Sequence, residues 1–150
     1  MKSHIENISA ASIIYMRRTG AYGPENYQLM QKMKDWIQEH GLWNEGGTIY
    51  AIAWDNSSVT DPKACRYDVC FATNSDGKDS AIQRGTLPAG AYLVFEIPHT
   101  AEDMQRFWTS IADLLTKEDV QMDCSRPIME RYQFALVEKG CCEFCIPVID

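Results

Sequence analysis

The sequence predicts an α+β domain in which two similar halves, each a strand, a helix and a two-stranded hairpin, share one curved antiparallel sheet. Helical apolar stripes occur in two places, 24–40 and 101–118, and each is followed by a pair of short apolar runs bounded by turn formers. The polar segment from Asn74 to Ser80 divides the chain near its middle. The halves are alike in element order and not in residue identity. A groove between them is a natural ligand site. With 150 residues and 45% apolar content, the chain can bury one core and is short for two, so 1–150 reads as a single domain.

Residues 5–18 mix small and β-branched side chains without a helical stripe and stop at Thr19-Gly20, which predicts a first strand and its turn. Pro24 then opens a helix in which Tyr27, Met30, Met33 or Lys34, and Ile37 recur at three- and four-residue steps until Gly41. Trp36 falls on this stripe or beside it. Residues 48–54 form a strand with Tyr50, Ile52 and Trp54 on one face and small Ala51 and Ala53 on the other, where something packs close. The return strand, 65–72, places Tyr67, Val69 and Phe71 together.

In the second half, short strands over 82–87 and 91–97 lead to Thr100, a helix cap with Asp103 three residues on. Phe107, Ile111 and Leu114 form the inward stripe of that helix, and Trp108 flanks it. Residues 127–137 read as a strand, followed by the turn at 138–140 and a last strand over 143–149. In that reading Ile128, Glu130, Tyr132, Phe134 and Leu136 share a face that is apolar except at Glu130. Glu130 is therefore either the floor of a binding pocket, or a strand acid that lies at a solvated edge or is paired with a neighbouring Arg.

A net charge of -7 gives no general attraction to a nucleic acid backbone and favours cationic partners. The N-terminus lacks a basic segment followed by an apolar run, and nothing approaches a membrane span, so a cytoplasmic protein is expected. The six cysteines at 65, 70, 124, 141, 142 and 145 are too unevenly placed for a disulfide scaffold, and Cys141, Cys142 and Cys145 lack a fourth zinc ligand. Reduced thiols, no metal and no cofactor are expected. Ser and His form no triad pattern, and no phosphate loop is present.

Several separated motifs coincide with one family. Thr19-Gly20-Ala21-Tyr22-Gly23-Pro24, Ala53-Trp54-Asp55-Asn56 with Arg66-Tyr67-Asp68-Val69, Gly90-Ala91-Tyr92-Leu93-Val94-Phe95 before the helix bearing Trp108, Pro127-Ile128-Met129-Glu130-Arg131-Tyr132, and Glu143 to Val148 occur in that order. In them the chain resembles the GyrI-like small-molecule-binding domain, found in the DNA gyrase inhibitory protein and as the effector-binding domain of AraC- and MerR-type multidrug-sensing activators. The resemblance implies a central ligand cleft with Glu130 in it, walled by some of Tyr132, Trp54, Tyr67, Tyr92 and Trp108. The chain departs from the family pattern at Arg131, where an apolar residue is usual, and at Cys141-Cys142.

Three functions follow from the resemblance. The first is a stand-alone binder of amphipathic aromatic, often cationic, molecules, which sequesters or senses them. The second is a hydrolase of cyclopropanoid DNA-alkylating compounds, with Glu130 directing a water beside Tyr132 and Trp54. The third is inhibition of DNA gyrase by protein contact. The chain begins directly with the first strand of the effector-type domain, so no DNA-binding domain and no direct nucleic acid binding are expected.

Overall fold

The computed structural model describes residues 2–75 and 79–149. They form β1 (Lys2–Ile8), β2 (Ser12–Thr19), α1 (Pro24–Glu39), β3 (Thr48–Ala53), β4 (Arg66–Ala72), β5 (Gln83–Thr86), β6 (Gly90–Pro98), α2 (Ala101–Lys117), β7 (Met129–Gln133), α3 (Phe134–Glu138) and β8 (Cys141–Pro147). All strand pairs are antiparallel and make one sheet, in the order β1-β6-β8-β7-β3-β4-β2-β5. The halves β2-α1-β3-β4 and β6-α2-β7-β8 are the predicted units, and they meet at the central pair β3 and β7.

The leading strands are exchanged between the halves. β1 precedes β2 but pairs with β6, while β5 precedes β6 but pairs with β2. The predicted first strand over 5–18 is thus two strands, broken at residues 9–11. One register runs through both, from Lys2 opposite Glu96 to Tyr15 opposite Gln83. A flat sheet would hold β1 and β2 six strand spacings apart, about 29 Å. The four Cα steps from Ile8 to Ser12 span at most about 14 Å, so the sheet must curl until its ends meet. They meet where the Leu87 amide donates to the Ala11 carbonyl at 2.9 Å. At this crossing Gly90 has φ 140°, and a Cβ there would lie 2.6 Å from the Arg126 guanidinium, which donates to the carbonyls of Ala91 and Val148.

Both long helices lie on one face of the sheet. Met33, Trp36 and Ile37 of α1 pack on Ile14, Met16, Ile49, Val69 and Phe71, and the Trp36 indole donates to Asp79 at 3.1 Å. Thr100 caps α2, accepting the Asp103 amide at 3.0 Å. Phe107 is the fully buried member of the α2 stripe, stacked on Phe144 at 4.2 Å, with Ile111 and Leu114 half-buried beside it. The opposite face carries its own core of Tyr50, Ile52, Cys70, Tyr92, Val94, Met129 and Cys145.

The predicted strand over 127–137 ends at Gln133, and Phe134–Glu138 is a short helix. The Phe134 amide donates to the Gly47 carbonyl at 3.0 Å, and its ring lies so close to Gly47 that a Cβ there would sit 2.4 Å away. That contact draws the chain out of the sheet. Of the polar midpoint segment, Asn74, Ser75, Asp79 and Ser80 lie outside helices and strands, and 76–78 lie outside the described residues. Cys142 and Cys145 enter opposite cores, and burial pushes both thiols up to about 12. Among the described residues, no helix is long and apolar enough to cross a membrane.

Candidate functional site

On the helix face, α1 covers one half of the sheet and α2 the other, which leaves the central seam uncovered. A cavity of about 660 Å3 opens there. Its floor follows from strand register: Glu130 on β7 stands opposite Ala51 of β3, Tyr132 opposite Ile49, and Tyr67 of β4 opposite Ala53. Tyr132 packs against the cores under both helices, so it marks the seam itself. The α1 side of the wall is Tyr27, Met30 and Lys34, with Tyr22 and Asn26 at its start. The other side is His99, Met104 of α2, and Phe134, Val137 and Glu138 of α3, with Trp43 stacked on Phe134 at 4.1 Å.

Glu130 lies deep and meets solvent through the cavity. The Tyr132 hydroxyl donates to its Oε2 at 2.5 Å, and among the described residues no Lys, Arg or His pairs with it. Burial pushes its carboxyl above the usual carboxylate range, opposed first by the Tyr132 hydroxyl and then by the Trp108 indole. Of these two, only the Tyr132 contact has full hydrogen-bond geometry. Burial raises the Tyr132 and Tyr67 phenols too, and the Glu130 carboxylate adds to both shifts. His99, 5.3 Å from the Tyr132 ring, is held below its ordinary value by burial first and then by the Lys34 charge. The site is an apolar, largely aromatic chamber with one deep acid.

The family described as the GyrI-like small molecule binding domain matches residues 1–149. The chain belongs to this family. An SPbeta prophage-derived protein of Bacillus subtilis (strain 168), YosT, which carries the name of a transcriptional regulator, is 35% identical over 150 residues, covering 99% of each chain. A protein named DNA gyrase inhibitor from Edwardsiella ictaluri (strain 93-146) is 26% identical over 137 residues, 88% of this chain and 86% of that one. Among solved structures, the EcmrR C-terminal domain matches with a TM-score of 0.71 at 12% identity, over 99% of this chain and 98% of that one. In an EcmrR–DNA complex this chain spans only 57% of the EcmrR chain. SAV2435 bound to tetraphenylphosphonium matches with a TM-score of 0.64 at 17% identity, over 99% and 94%. At such identities these two share the fold.

Within this GyrI-like domain, the structure brings Glu130, Tyr132 and Tyr67 together and sets Trp108 at their edge. Trp108 is 39% exposed, and it packs edge-on against Phe144 at 5.3 Å. Trp54 and Tyr92 are not at the cavity. They lie on the opposite face, where the Trp54 indole donates to buried Asp68 at 2.7 Å and the Tyr92 hydroxyl to the Pro88 carbonyl at 2.8 Å. Arg131 points to that face as well. Its guanidinium donates to both carboxylate oxygens of Glu143 at 2.9 and 2.8 Å and to those of Glu6 at 2.7 and 3.0 Å. Arg131 is therefore the centre of a buried ion-pair network on the face away from the cavity.

Sequence reasoning missed Lys34, Trp43, His99 and α3 as cavity walls. Part of the signal was present: Tyr27, Met30 and Lys34 follow at three- and four-residue spacing. Only Met33, Trp36 and Ile37 of α1 are buried against the sheet, and the Tyr27 face is turned beside them toward the seam.

Proposed function

We propose that this domain binds an amphipathic aromatic cation in the seam cavity, with Glu130 as its counter-charge. The observation that carries this reading is that Glu130, deep in an aromatic chamber, has a tyrosine hydroxyl and no cation as its partner among the described residues. An ionised carboxylate in apolar surroundings costs folding free energy, and a ligand cation offsets that cost. The rings of Tyr67, Tyr132, Trp43 and Tyr27 add apolar contact and cation–π attraction, each about 0.5–2 kcal/mol. A relative in fold that holds tetraphenylphosphonium supports the choice of ligand class.

Calorimetry with tetraphenylphosphonium and with tetraphenylborate, its anionic counterpart of the same shape, tests the reading. The cation should bind and the anion should not. Glu130→Gln should weaken the cation tenfold to a hundredfold, about 1–3 kcal/mol. Equal affinity of wild type and variant for the cation would overturn the role of Glu130. The same samples, mixed with a cyclopropanoid alkylator and read by mass spectrometry, separate binding from hydrolysis: a binder returns the compound unchanged, and a hydrolase yields the hydrated product.

A further inference from the structure

The cavity is not uniformly acidic. Lys34 projects from α1 into its wall, is itself half-buried, and makes no ion pair among the described residues. It is close enough to His99 for its charge to act on that ring, and His99 in turn packs on Tyr132, whose hydroxyl holds Glu130. The deep carboxylate, Tyr132, His99 and the ammonium thus all line the one cavity. Glu138 also lines the cavity, but it is exposed on α3 and is not bonded to Lys34. A half-buried ammonium that the protein leaves without a counter-charge is a place for an acceptor or anion supplied from outside.

We infer that the cavity selects bipolar ligands, aromatic molecules that carry a cationic group for Glu130 and a carboxylate or comparable acceptor for Lys34, and that Lys34 is the specificity-determining residue for the second group. The inference rests on the proposed binding of aromatic cations and narrows it to a class. Long-range electrostatics point the other way, because a protein of net charge -7 attracts a pure cation more strongly than a zwitterion of the same shape. A preference for the zwitterion must therefore arise locally.

Rhodamine B, with a cationic xanthylium and a free carboxylate, and its ethyl ester, in which the carboxylate is masked, make the matched probes. Fluorescence anisotropy titrations of wild type, Lys34→Gln, Lys34→Arg and Glu130→Gln give the comparison. Wild type should favour the acid over the ester by about fivefold, the scale of a partly exposed ion pair. Lys34→Gln should abolish that preference, read as the ratio of acid to ester affinity within each variant, and Lys34→Arg should keep it. Circular dichroism melts of the variants confirm that each is folded. An ester that binds as tightly as the acid to wild type overturns the inference, and so does an acid preference that survives in Lys34→Gln. If neither dye binds, the proposed binding of aromatic cations fails as well. If both bind with equal affinity and both weaken in Glu130→Gln, only the role of Lys34 is lost.

Discussion

Glu130 and Arg131 are neighbours in β7 and face opposite sides of the sheet, and the two sides treat charge in opposite ways. On the Arg131 side one guanidinium is forked between Glu6 and Glu143, and the Gln133 amide donates to Glu143 as well, so each charged group there has a charged partner. On the Glu130 side the acid has a phenol and, among the described residues, no cation. The first arrangement closes the electrostatics of folding within the protein. The second leaves a charge open, and an open buried charge is what separates a site from a structural network.

The largest effect expected from breaking this contrast is on the closed side. Arg131→Met leaves Glu143 buried without its cation, and chemical denaturation should show a loss of about 3–5 kcal/mol. On the open side the sign reverses: Glu130→Gln should leave folding stability unchanged or raise it, while removing about 1–3 kcal/mol of cation binding. A substantial loss of stability in that variant would mean that Glu130 also serves the fold. Tyr132→Phe keeps the ring and removes the donor, which should cost the cation about 0.5–1.5 kcal/mol and move the Glu130 titration further up. Calorimetry over a range of pH measures both.

The pH dependence of stability sharpens the comparison with smaller effects of opposite sign. Hydrogen bonds from Arg131 hold the Glu6 carboxyl at about 2, against an ordinary 4.5. A lowered folded-state value gives stability that is complete above 4.5 and is lost as the pH falls toward 2. Glu130 is raised, so its ionised form is the costly one in the folded state. Its penalty is present at neutral pH and disappears as the pH falls through the raised value to 4.5. Denaturation of wild type and Glu130→Gln in parallel isolates the second limb: wild type should gain on the variant as the pH is lowered toward 4.5. Below that value both should weaken together.

The helices were legible because their signals are local: Pro24 and the Thr100–Asp103 cap fix the starts, and the apolar spacing fixes the extents. Strand parity correctly grouped Tyr50, Ile52 and Trp54, but grouping does not say which face the helices cover. Trp54 and Tyr92 are among the candidate walls that the resemblance implies, and they line the opposite core. The break at residues 9–11 has no glycine or proline to announce it, since it is imposed by sheet closure. The run from Phe134 to Val137 is apolar at strand and helix spacing alike, and its contact with Gly47, far away in sequence, decides for helix. Glu130 stood out because a lone acid in an apolar row needs a reason, whereas Lys34 and His99 are ordinary surface types that only tertiary structure brings together.

The exchange of leading strands has a consequence for synthesis. β1 leaves the ribosome long before β6, and Lys2 must wait for Glu96 before its ladder can form. Neither half can complete itself, and pairing over that separation favours slow, late closure. During the wait β1 is an unpaired edge, and Lys2, His4 and Glu6 at alternate positions discourage it from joining another chain. Cut between Ser75 and Asp79, each half would carry away the strand that the other needs, so the two fragments should recover the fold only in each other's presence.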